Sequence, residues 1–101
     1  MGMGNLARMA QQMQADMARI QQELENLHIE GSAGGGVVKA VVTGKQDIVS
    51  VTIDPSVVDP DDVEMLQDLI VAAVGDALSN ARATAEQKLA RVTGGLQIPG
   101  M

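Results

Sequence analysis

The chain has 101 residues, with 7 basic and 13 acidic side chains, a single His, and no Phe, Tyr, Trp or Cys. Its length fits one small domain with a thin core. Missing cysteine excludes disulfides and thiolate metal sites, and missing aromatics exclude stacking platforms for single-stranded bases. The net charge of −6 weighs, taken alone, against nucleic acid as a ligand and leaves a second copy as the source of missing stability.

The spacing predicts a helix over 5–26, with Leu6, Ala10, Met13, Met17, Ile20, Leu24 and Leu27 recurring at alternating intervals of four and three. That is the apolar seam of a coiled coil. Between these positions stand Arg8, Gln11, Gln12, Gln14, Arg19, Gln21, Gln22 and Glu23, good helix formers suited to water. Such a helix is about 33 Å long, more than a three-stranded sheet can cover, so part of it should project or pair with another helix.

A meander is expected over 27–54. Leu27 and Ile29 alternate with His28 and Glu30 in a short strand ending at Gly31. Ala33-Gly34-Gly35-Gly36 forms a turn, the β-branched run 37–43 a second strand, and 48–53 a third, closed by Asp54-Pro55.

The last element is a helix over 60–92, with Asp59 at the N-cap, Pro60 in the first helical position, and Val58 and Val63 spaced as a hydrophobic staple. Met65, Leu66, Leu69, Ile70, Val71, Val74 and Leu78 make it apolar nearly all round, so it should be buried on more than one side. Gly75 costs helix propensity, which a close backbone crossing would offset. The tail 94–101 is expected to be non-helical and flexible. The fold class is therefore α+β: a long N-terminal helix, a three-stranded antiparallel sheet and a long C-terminal helix in one domain. The expected dimer interface comprises Leu6, Met13, Met17, Ile20, Leu24, Leu69 and Ile70.

Catalytic motifs are not found. Gly34-Gly35-Gly36 lacks the Gly-Lys-Ser/Thr ending of a phosphate loop and leads into a strand, as a hairpin turn does. His28 has no second His or Cys to share a metal. Asp59, Asp61 and Asp62 are explained by helix capping, and the acidic run lacks the ligand order of a calcium loop. No nucleophile elbow exists. Neither an enzyme nor a cofactor nor a metal site is expected. No apolar run of 18 residues and no basic-then-apolar leader occurs, so a cytoplasmic protein away from membranes is expected.

The charge is uneven. Residues 1–22 carry +1, residues 23–78 carry −9, and residues 79–101 carry +2. The start of the first helix and the end of the last are farthest along the chain from the sheet. If the two pack side by side, Arg8, Arg19, Arg82, Lys88 and Arg91 share one weakly basic arm on an acidic body.

Several stretches together resemble the YbaB/EbfC family of bacterial nucleoid-associated proteins. They are Met3-Gly4-Asn5, Gln11-Gln12-Met13-Gln14 with Met17, the run 30–39 from Glu30 to Lys39, Ile53-Asp54-Pro55, the run 62–70 from Asp62 to Ile70, and the closing run 93–101. The resemblance spans essentially the whole chain. It implies a tweezer-like homodimer with projecting helical arms, located in the cytoplasm at the nucleoid. It also implies binding of double-stranded DNA with low sequence preference, through cations that here are Arg8, Arg19, Arg82, Lys88 and Arg91. Replication or recombination proteins are possible partners by that resemblance. A contrasting expectation is an adaptor whose Met-rich apolar helices dock protein partners without touching DNA.

Overall fold

The computed structural model describes residues 3–94; the expectation for the tail after Gly94 lies outside them. The order is α1 (Met3–Asn26), β1 (His28–Ala33), β2 (Val38–Thr43), β3 (Ile48–Ile53), a 3-10 turn (Pro55–Val57) and α2 (Val63–Gly94). This is the α+β architecture expected, with the antiparallel sheet ordered β1-β2-β3.

Gly34, Gly35 and Gly36 all take positive φ (63°, 76° and 98°) in the β1–β2 hairpin, where the Gly36 N–H donates to the Ala33 carbonyl at 3.2 Å. Side chains at those angles would be strained, so the glycine run is the turn itself.

Strand β1 departs from expectation at Gly31. The sequence marks this glycine as a stop, yet it lies mid-strand, buried and paired with Ala40. A Cβ there would overlap the backbone N and Cα of Ala77 in α2. The missing side chain lets the helix cross the strand at backbone distance. Gly75, where a close crossing was expected, has nothing within 4 Å of an added Cβ.

The core lies between α2 and one face of the sheet: Val38, Ala40 and Val42 of β2 are fully covered, as are Ala73, Ala77 and Ala81 of α2. The register puts Ile29, Gly31 and Ala33 on that same face from β1, and Ile53, Val51 and Ile48 from β3. Helix α2 also closes the outer edge of β1. Asp76 Oδ2 accepts from the Ser32 N–H (3.0 Å), and Asn80 Nδ2 donates to the Glu30 carbonyl (3.1 Å). Strand β3 has no such cover: Ile48, Val49 and Val51 are exposed, and a register shift near Val41/Val42 displaces Val49 from pairing.

Helix α2 begins three residues later than Pro60, and its cap is Asp62 in place of Asp59. Asp62 Oδ1 accepts from the Met65 N–H at 3.1 Å, while Asp59 Oδ1 is already occupied by the Asp61 N–H at 2.9 Å in the preceding turn. With the start displaced, Val58 and Val63 no longer stand at staple positions, and both are exposed. The helix runs on through Thr93 to Gly94, past the expected stop at 92.

Candidate nucleic-acid interface

Helix α1 ends against the body at Gly44, whose N–H donates to the carbonyls of Leu24 (2.8 Å) and Leu27 (3.0 Å). Lys45 Nζ adds an ion pair to Glu25 at 3.0 Å. From this anchor α1 runs antiparallel to the distal half of α2, so that Glu23 meets Lys88 and the stretch from Arg8 to Asp16 shares a groove with Val92. The two helices form the single projecting arm that the topology implied.

The apolar seam is covered progressively toward the root. Leu24 and Ile20 are 3% and 4% exposed, Met17 and Met13 are half-buried, and Leu6 is 65% exposed. Ile20 and Leu24, assigned by the spacing to a second chain, are thus covered within one protomer. Leu69 and Ile70 likewise pack against the core of the same chain, Leu69 beneath Gly34. The heptad spacing identifies the surface that will be buried, but not the helix that covers it.

Five of the seven basic residues lie on these helices. Arg8 lines a groove of about 480 Å³ at the arm tip with Met9, Met13 and Val92. Arg19, Lys88 and Arg91 line a second groove of about 300 Å³ nearer the root, together with Asp16, Ile20 and Glu23. Arg82 lies exposed on α2 outside both grooves. Among the described residues Arg8, Arg82 and Arg91 make no ion pair. Arg19 pairs with Asp16 (3.2 Å) and more loosely with Glu23 (3.9 Å), and Lys88 with Glu23 (3.4 Å). The spacing of Asp16 and Glu23 from Arg19, three and four residues, is a signal the sequence carries, whereas the Glu23–Lys88 pair joins residues 65 positions apart and needs the fold. They reduce the arm's positive excess, with Asp16, Glu23 and Glu86 set against five cations.

Four acidic residues of the body, Asp54, Asp59, Asp62 and Asp76, accept backbone hydrogen bonds that hold turns, a helix start and a strand edge. Asp54 caps the 3-10 turn by accepting from the Ser56 N–H at 2.9 Å, and this backbone hydrogen bond, with one from the Ser56 side chain, holds its carboxyl below the usual value. Among the described residues no group of three or more metal-ligating side chains occurs, and no helix is long and apolar enough to cross a membrane.

Residues 1–96 match the YbaB/EbfC DNA-binding family. Among curated relatives, a nucleoid-associated protein of Ruminiclostridium cellulolyticum is 55% identical over 100 residues, covering 98% of this chain and 87% of the relative. One of Moorella thermoacetica is 50% identical over 103 residues, covering 99% of both. The fold is similar to the crystal structure of the uncharacterized protein HP0035 from Helicobacter pylori (TM-score 0.68, 18% identity, 95% of this chain and 97% of that one).

Proposed function

Since the chain belongs to the YbaB/EbfC DNA-binding family, we propose that it is a nucleoid-associated protein that binds double-stranded DNA with low sequence preference and organises the chromosome or influences gene expression. The observation that carries this is the collection of five cations on one projecting arm, in a chain whose charge is otherwise strongly acidic. Arg8, Arg19, Arg82, Lys88 and Arg91 would neutralise phosphates and release counterions, reading duplex shape more than bases. No aromatic side chain is available for base stacking, which suits a duplex backbone better than a single strand.

The functional unit we infer is a homodimer with paired arms. Asp76 and Asn80 fix one flank of α2 on the β1 edge, so the helical period turns Val71, Val74 and Leu78 toward β3. Ile48 and Val51 lie exposed on that same face of the sheet, along the strand that α2 leaves open. A second copy over this strip would give α2 its second buried side. Such a dimer would reside in the cytoplasm at the nucleoid.

Fluorescence anisotropy of a labelled duplex over a salt series tests DNA binding. If a dimer makes about six phosphate contacts, log affinity should fall against log salt with a slope near about −5. Arg82→Glu/Arg91→Glu should bind markedly more weakly; equal binding by that variant would refute the arm assignment. The Met-lined groove at the tip favours a second function, an adaptor for replication or recombination proteins. Absence of duplex binding even at low salt, together with a stoichiometric protein partner, would select it.

A further inference from the structure

The cations of the arm are not equivalent. Arg19 comes from α1 and Lys88 and Arg91 from α2, yet all three line one concave groove near the root, which Arg8 and Arg82 do not reach. Three cations from two helices around one groove suit a tetrahedral phosphodiester oxyanion, which accepts from several directions at once. In the free protein that position is contested. The Glu23 carboxylate offers one oxygen to Lys88 Nζ at 3.4 Å and the other to Arg19 Nε at 3.9 Å, bridging the two helices. Asp16 holds the far side of the Arg19 guanidinium at 3.2 Å.

We propose that Arg19, Lys88 and Arg91 form a single phosphodiester subsite at the arm root, and that Glu23 is its built-in competitor, an internal anion that backbone phosphate must displace. The inference rests on the DNA-binding function proposed above and adds to it which cations act together and what sets their strength. Arg91, which makes no ion pair among the described residues, engages phosphate first; Lys88 follows as Glu23 is released, and Arg19 turns its Nε edge to phosphate while Asp16 keeps the other side of its guanidinium. Glu23 thereby keeps binding weak and reversible, as a protein moving over much of a chromosome requires.

Glu25 supplies an internal control. It lies on the same helix with the same charge, but it pairs with Lys45 of the β2–β3 turn and not with an arm cation. The experiment measures duplex affinity by anisotropy at about 50 mM salt for wild type, Glu23→Gln, Glu25→Gln, Lys88→Gln and the double variant Glu23→Gln/Lys88→Gln. Thermal melting of each checks that the substitutions, at exposed Glu23 and Glu25 and half-buried Lys88, leave the fold intact. Glu23→Gln should bind about five- to tenfold more tightly and Glu25→Gln less than about twofold more tightly. Lys88→Gln should weaken binding in both backgrounds but by a different factor in each, because the pair is coupled; equal losses would show that Glu23 and Lys88 act independently.

If Glu23→Gln and Glu25→Gln raise affinity equally, net charge alone is at work and the competitor role is overturned. If wild type binds with the expected salt slope but Glu23→Gln matches it, the subsite fails while DNA binding stands. If no variant binds duplex, both fall.

Discussion

At the scale of single residues, the tightest constraint is Gly31. Every other position of β1 tolerates a side chain, but here the Ala77 backbone occupies the space that a Cβ would need. Backbone cannot yield as a flexible side chain can, so Gly31→Ala must push α2 off the sheet and loosen Ala73 and Ala77 together. We expect a destabilisation of about 3 kcal/mol, at the upper end for overpacked cores. Gly75→Ala, in open space on the outward side of α2, should instead gain up to about 1 kcal/mol of helix propensity. Chemical denaturation of both variants checks the pair, and a Gly31→Ala protein as stable as wild type would exclude the close crossing. The exposed ion pairs of the arm belong to another class, worth about 0–1 kcal/mol each for stability. Their importance is to charge, not to folding.

At the scale of elements, the start of α2 shows how a cap is chosen among near-equivalents. Asp59, Asp61 and Asp62 are all capable caps by chemistry. Asp59 is engaged by the turn around Pro60, and only Asp62 stands three residues before an amide, that of Met65, with its carboxylate free to accept. Asp62→Ala should therefore cost about 1 kcal/mol, and Asp59→Ala less, measured by urea unfolding. The same example shows what could be read from the chain before folding. The glycine turn, the β-branched strands and the existence of both helices were legible, because each follows from local stereochemistry. The mid-strand role of Gly31 and the partner of the α1 seam were not, because each depends on a residue brought close from elsewhere, and the cap was not, because neighbouring aspartates offer the same chemistry. The arm cations were legible as a group through charge patterning, whereas their division into paired and free members needed Glu23 placed beside Lys88.

At the scale of the whole molecule, the protomer measures 71 × 29 × 16 Å with a radius of gyration of 19.6 Å, against roughly 13 Å for a compact chain of this length. Its thinnest dimension is one helix on one sheet, and one flank of that pair remains apolar, with Ile48 59% and Val71 71% exposed. A protein this thin has little interior, and the uncovered strip is where a second copy would supply more. Sedimentation at low micromolar concentration should give about twice the 10.5 kDa protomer mass for wild type. Val51→Lys/Val71→Lys should sediment as a protomer, and an unchanged dimer in that variant would move the interface elsewhere.

The anchoring of α1 at Gly44 has a mechanical consequence. Among the described residues, the backbone hydrogen bonds that tie this end of the chain to the body come from the Leu24 and Leu27 carbonyls at the close of the helix, so its 24 residues resemble a cantilever about 36 Å long, braced along one side by α2. Displacement at the free end grows with that length: a rotation of about 10° at the root carries the tip roughly 6 Å, about half the width of a major groove. A stiff rod on a narrow pivot would let a fixed set of charges follow a duplex whose grooves widen and narrow along its course, at the cost of sliding the half-buried Met13 and Met17 along α2.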